Sequence, residues 1–258
     1  MQAPAQTKLK WMTLFPLAVV YAAWELYRQG MEQEPQIEKR RTNIHLPPVS
    51  LPWNPSEEQL SDLDHRLVFV SGELLHDREM RVFPRHFESQ MGMYVFTPLR
   101  RPDGSIVIIN RGWVPAQLQD PSARMESQVT DKVTILGHLV GGDDPFPFSF
   151  FSEKPFFQVV NTPERNMWPR VDVEEMAHWV NASPILISAL ASPPNPGGYP
   201  IGGQTNFKLE NTLITQAYQY GALAAVMVGA IVGARYVHKL GIRLPWQKKP
   251  PPYTPFTI

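Results

Sequence analysis

The chain has 258 residues with 24 basic and 24 acidic side chains, so its formal net charge is zero and nothing marks a polyanion-binding surface. It has no cysteine, which excludes disulfides, thiolate metal sites, iron–sulfur clusters and the C-x-x-C-H haem attachment. Its 27 prolines, about twice ordinary usage, favour short strands and shaped loops over a large helical bundle.

The first apolar segment covers residues 11–27, from Trp11 to Tyr27, behind Lys8 and Lys10 and closed by Glu25 and Arg28. A membrane span needs ~20 apolar residues, with ~17 the lower limit. This segment is short, and Trp11, Trp24 and Tyr27 extend it as interfacial aromatics. A cleaved signal peptide is the rival reading. It lacks a clean cleavage site, because Trp24, Glu25 and Leu26 stand where small residues belong. The expectation is an uncleaved span, followed over 28–50 by a polar connector with some helix and a proline stop.

Residues 51–210 carry β signals. Leu67–Leu74 reads as a strand with a glycine bulge at Gly72, and Arg78–Pro84 as a second, shorter strand. Met93–Leu99 and Ser105–Asn110 flank an Asp103-Gly104 hairpin turn. Val133–Leu139, Phe156–Val160, Ile185–Ile187 and Phe207–Leu209 complete the strand candidates. One helix stands among them, capped by Asp172 with Glu175 in a capping-box position. Met176 and either Trp179 or Val180 would face the core, and Asn181 would end this helix.

The second apolar segment covers 213–237 and carries no charge between Tyr220 and Ala234. Gly229 and Gly233 form a small-xxx-small pair of the kind that lets another helix approach closely. Arg235 stands near its end and Lys239, Arg243, Lys248 and Lys249 follow it, so the positive-inside bias puts the 238–258 tail, and with two spans also the N-terminus, on the inner side. The expected fold class is therefore α+β: a mainly antiparallel β domain, its sheet curling toward a barrel, between two transmembrane helices in the lipid bilayer.

No metal site and no catalytic residue are expected. The seven histidines include no H-E-x-x-H or other tight pair. There is no G-x-S-x-G elbow, P-loop or G-x-G-x-x-G, and no lysine of the domain is linked to a special serine. The chain is read as a non-enzyme.

Four segments are more specific than a plain β domain needs. They are Met80–Arg85, with Pro84 and Arg85; Ile109–Pro115, where a strand is expected to break into an Asn110-Arg111-Gly112 turn; Asn161–Trp168, with Pro163, Glu164, Arg165, Asn166 and Trp168; and Pro196–Thr205, with Gly202, Gly203, Gln204 and Thr205. Each is also readable as a turn with charge-assisted hydrogen bonds, in which Arg111 and Arg165 hold loop carbonyls or carboxylates. In this order between two spans, and with Tyr220-Gly221 in the second, the segments resemble the surfeit locus protein 1 family.

That resemblance covers most of residues 65–225. It implies an assembly factor or chaperone for cytochrome c oxidase, with that enzyme's catalytic subunit and other assembly factors as partners and no nucleic acid. The membrane implied is the mitochondrial inner membrane or the bacterial cytoplasmic membrane, with the domain in the intermembrane space or periplasm. The residues themselves indicate no cofactor; the resemblance implies transient handling of haem a at its insertion, or stabilisation of an early intermediate.

Two departures stand out. Ala22-Ala23-Trp24-Glu25 keeps only the tryptophan of the family's Leu-Gly-Thr-Trp-Gln stretch, and Thr212 stands where many members carry a histidine linked to haem a. A threonine does not replace imidazole as an iron ligand. His86 and His76 are the alternative ligands considered. The departure at Thr212 also opens a second reading, a stoichiometric structural subunit of a respiratory oxidase complex without haem handling.

Overall fold

The computed structural model describes residues 5–140, 160–204, 207 and 209–241. In chain order its elements are helix α1 (Ala5–Asn43), strand β1 (Val49–Ser50), helix α2 (Glu57–Asp62), strands β2 (Leu67–Leu74), β3 (Met80–Phe87), β4 (Gln90–Arg100), β5 (Ile106–Pro115) and β6 (Val133–Val140), helix α3 (Val173–Val180), strand β7 (Leu186–Ala189) and helix α4 (Thr212–Lys239), with short 3-10 turns between them. The chain divides into two units, one of Met1–Ile37 with Glu210–Ile258 and one of Glu38–Leu209.

In the Glu38–Leu209 unit the strands form one seven-stranded sheet in the order β1-β2-β6-β7-β5-β4-β3. The pairings are antiparallel except β1–β2 and β5–β7. The expected curl toward a barrel is met only this far: the end of β2 also pairs with β4, Glu73 against Arg100 and Leu74 against Leu99. Gly72 does not make a bulge, because its register against Val133 is continuous with the rest of β2. Its lack of a side chain serves that extra pairing instead, since a Cβ there would overlap the Arg100 carbonyl.

Period-2 alternation sorts the strand residues onto two faces. Val68, Val70, Leu99, Val107, Ile109, Leu139 and Ile187 share one core, with Leu60 and Leu63 from the α2 region packed against it. Phe96, Ile108 and Leu186 share another with Trp168 and with Val173, Met176, Ala177 and Val180 of α3. Helix α3 forms as expected: Asp172 Oδ1 accepts from the Glu175 amide at 3.0 Å, and Asn181 ends the helix in the left-handed conformation. Its inner face uses Val180, whereas Trp179 is exposed. Glu175 does not complete a capping box; its carboxylate accepts from Asn161 Nδ2 at 2.6 Å.

The Asp103-Gly104 hairpin is present, with Gly104 at φ +85° and the Arg101 amide bonded to the Ser105 carbonyl. Of the remaining strand candidates, 156–159 and Lys208 lie outside the described residues, and Phe207 and Leu209 are not in a strand.

In the other unit, Thr212–Val237 is the one helix among the described residues long and apolar enough to cross a membrane. The 11–27 segment is helical, inside α1, but does not reach that standard among the described residues, consistent with its short apolar run before Glu25 and Arg28. Most of the expected 28–50 connector continues α1 as helix, through to Asn43. Helices α1 and α4 meet through Gly30, where an added Cβ would stand 2.7 Å from Ile214 Cγ1, and through the rings of Tyr27 and Tyr218, 6.4 Å apart. Among the described residues nothing lies within 4 Å of a Cβ built on Gly229 or Gly233.

Candidate functional site

The sequence motifs of the folded unit meet on β3, β4 and β5, and the reason lies in one irregularity. Val95 pairs with Gly112 but its neighbour Phe96 pairs with Asn110, so Arg111 is an extra residue on β5. The Asn-Arg-Gly segment is therefore a β-bulge inside a strand that runs on to Pro115, not a turn that ends it. Asn110 stabilises the bulge: its Oδ1 accepts from the Gly112 amide at 3.1 Å and its Nδ2 donates to Ser188 Oγ at 3.1 Å. That bond satisfies an amide which the interrupted ladder leaves over.

Beyond the bulge, the Pro200–Gly203 stretch lies along β5. The Trp113 amide donates to the Ile201 carbonyl at 2.9 Å, and the Ile201 amide donates back to the Trp113 carbonyl at 2.8 Å. Gly112 (φ +120°) and Gly202 are both close-approach glycines: a Cβ at the first would overlap the Ile201 carbonyl, and at the second the Leu190 carbonyl. Gly203 sits at φ +70° beside Ala191.

Arg85 ties this layer together. Its side chain is buried and donates to the carbonyls of Pro84 at 2.7 Å and Pro169 at 3.4 Å. It also stands 5.8 Å from the Tyr94 ring centre. Its own carbonyl accepts from Trp113 Nε1 at 3.2 Å, and Tyr94 donates to the Gln204 carbonyl at 3.4 Å. Burial lowers the Arg85 pKa from its ordinary value, with Tyr94 opposing.

The Asn161–Trp168 segment docks on the outer strand β3. Asn166, left-handed at φ 50°, donates to the Glu79 carbonyl at 2.7 Å and accepts from the Arg81 amide at 3.1 Å and Trp168 Nε1 at 3.2 Å. Trp168 is fully buried, and its backbone bonds Arg81 and Phe83 of β3. This covers an otherwise open strand edge. Glu164 and Arg165 are exposed and Pro163 is partly exposed. Arg165 does not hold a loop carbonyl among the described residues, because it points outward from the 3-10 turn Pro163–Arg165.

Arg111 does hold a carbonyl. Its Nη2 donates to Ser127 at 2.6 Å and to Asn195 Oδ1 at 3.1 Å, and the side chain is 2 % exposed. Burial brings its pKa down to about 10, offset in part by Glu79 and reinforced by Arg124. Sequence reasoning missed three members of this neighbourhood: Glu79, Arg124 and Asn195. Glu79 and Arg124 form a buried ion pair across 45 positions of sequence, which no local pattern signals. Asn195, between Pro194 and Pro196, was legible as a turn residue, and it donates to the Pro200 carbonyl at 2.6 Å.

His76 Nε2 is held by the Val129 carbonyl at 2.9 Å, and burial together with the charges of Arg111 and Arg124 lowers its pKa. His86 is exposed on β3. Thr212 opens α4 behind Asn211, whose Oδ1 accepts from the Ile214 amide at 3.2 Å and whose Nδ2 donates to the Gly30 carbonyl at 2.7 Å. Tyr220 and Gly221 are exposed on α4, and Thr205 lies outside the described residues.

The bulge, the Asn166 loop and the Gly202-Gly203 segment lie where a family model spanning residues 12–225 matches, that of the SURF1 family. The chain belongs to the SURF1 family. Its similarity to a SURF1-like protein of Monosiga brevicollis is 30% identity over 252 residues, 92% of each chain. Surfeit locus protein 1 of Rattus norvegicus is 30% identical over 220 residues, 79% of this chain and 68% of the rat protein. The Homo sapiens protein of the same name is 30% identical over 235 residues, 84% of this chain and 74% of its own. Of the motif residues in the folded unit, Arg85, Asn110, Gly112, Asn166, Trp168 and Gly202 are built into the packing of β3, β4, β5 and the Pro200–Gln204 segment, whereas Glu164 and Arg165 are exposed.

Proposed function

We propose that this protein is a membrane-anchored, non-enzymatic assembly factor for cytochrome c oxidase. Membership of the SURF1 family across residues 12–225 carries the reading. The Glu38–Leu209 unit is consistent with it: the buried side chains of Arg85, Arg101 and Arg111 donate to backbone carbonyls and hold loops against the sheet, giving a rigid domain for a partner to meet. Helices α1 and α4 lie in the bilayer in this account. The sheet unit faces the intermembrane space or periplasm, and both termini face the matrix or cytoplasm, as the basic residues after α4 favour. The partners are the oxidase catalytic subunit and other assembly factors. No step through haem a is assigned to His76, His86 or Thr212.

Deleting the gene and measuring assembled oxidase and haem a tests the function; normal levels of both would contradict it. The topology has its own test, because the chain has no native cysteine. Single cysteines placed in the sheet unit and after Lys239 should label from opposite sides with a membrane-impermeant thiol reagent.

The departure at Thr212 favours a second reading, a stoichiometric subunit of the mature oxidase. Purified mature oxidase decides between them: one copy per complex supports the subunit, and presence only in immature complexes supports the assembly factor.

A further inference from the structure

We propose that the interior around Arg111, Arg124 and Gln128 is a binding site for one small monovalent anion. The inference does not depend on the oxidase role. Arg111 and Arg124 are 2 % and 6 % exposed, and the one buried carboxylate beside them among the described residues, Glu79, is paired with Arg124, while Asp120, whose charge also acts on Arg124, is exposed to water. The acceptors of Arg111, the Ser127 carbonyl and Asn195 Oδ1, are neutral. Two guanidiniums against one carboxylate leave one buried positive charge without a counter-charge. With its pKa held at about 10, Arg111 stays protonated at neutral pH.

Hydrogen bonding points to the same place. Arg111 Nη1, Arg124 Nη1 and Gln128 Nε2 are buried donors without a protein acceptor, and His76 Nδ1 is a fourth unpartnered nitrogen. The side chains are linked into one neighbourhood. Arg111 bonds Ser127, Ser127 Oγ bonds the Arg124 carbonyl at 2.8 Å, and His76 bonds Val129, the residue after Gln128. The unpartnered acceptors here are Glu79 Oε2, whose charge is already opposed by Arg124, and Nδ1 of the neutral His76 ring, whose Nε2–H donates to the Val129 carbonyl.

Water can accept from such donors but leaves the excess charge in the interior, where an uncompensated ion is costly. An anion meets both requirements. The charge count makes it monovalent, and the burial of every donor makes it small, of the size of chloride.

The test uses the full-length chain in detergent, prepared free of halide. Bromide or chloride is titrated against gluconate at constant ionic strength while thermal unfolding is followed, and crystals are grown in bromide. The proposal expects a saturable rise of the midpoint with halide but not gluconate, and an anomalous bromide peak within hydrogen-bond reach of Arg111 Nη1 and Gln128 Nε2. Gln128→Leu leaves the charge count unchanged and removes one donor. It should keep the fold and weaken halide affinity on the order of tenfold. Water alone at the site overturns the proposal. So does an adventitious ion only, a bromide peak without a saturable effect in solution. A halide effect of undiminished affinity in Gln128→Leu overturns it as well.

Discussion

The carbonyl oxygen of Ile201 occupies the space that a Cβ on Gly112 would need. This close approach lets the Trp113–Ile201 bridge form, and with it places the Pro200–Gln204 segment on the sheet. Gly112→Ala must either push that segment off β5 or distort a backbone already at φ +120°. The expected cost is on the order of 3 kcal/mol, read as a lower unfolding midpoint of the full-length chain. An alanine variant as stable as the wild type would show that the approach is dispensable.

Trp168 and Asn166 separate packing from hydrogen bonding. Trp168→Ala empties a fully buried indole site and should cost about 3–5 kcal/mol. Trp168→Phe keeps much of the volume but leaves Asn166 Oδ1 with only the Arg81 amide, so a smaller loss of roughly 1 kcal/mol from the hydrogen bond is expected, plus a packing loss from the missing ring. Denaturant unfolding of both variants measures the difference.

Glu79→Gln leaves Arg124 buried without its counter-charge. Removal of one partner of such a pair costs about 3–5 kcal/mol. The double variant Glu79→Gln, Arg124→Met should recover part of that loss. A double-mutant cycle without coupling would place the pair's importance elsewhere.

Stability should fall on acidification below the ordinary histidine value of 6.5. Burial depresses the pKa of His76 and of His138, only partly offset by the backbone carbonyls of Val129 and His65. Both rings are therefore neutral in the fold while the unfolded chain takes up protons, so stability rises with pH through this window and is level above it. Asp64 adds a second loss at lower pH. Burial raises its pKa, but the bonds from His65 and the Arg40 charge outweigh that and hold it below its ordinary value. Unfolding midpoints between pH 8 and pH 5 check the first effect, and His138→Phe should flatten it.

Much of the sheet was legible from alternation alone. Val68 and Val70 on one side of Phe69, and Val107 and Ile109 on one side of Ile108, fall on the faces that a period of two assigns. The Asp172 cap and Asn181 end of α3 were legible because cap chemistry is local. The Asn110-Arg111-Gly112 bulge was not. Those residue types favour a turn on their own, and what keeps the strand going is its ladder with β4, joined on the other side by the bridge to Ile201, some ninety positions away in sequence. The same distance hid Arg111's partners and the Glu79–Arg124 pair. Arg165 shows the converse: its motif context suggested an anchoring role, but its 3-10 turn directs it outward. For α1, composition indicated a span, yet the apolar run ends too soon for it to match α4.

Membership of the SURF1 family leads to the proposal that this chain serves cytochrome c oxidase assembly. The most direct measurement is the amount of fully assembled oxidase in membranes of cells lacking the gene, with and without the wild-type chain restored. A marked loss of assembled oxidase, recovered on restoration, is expected; assembled oxidase at the wild-type level without the chain would overturn the proposed role.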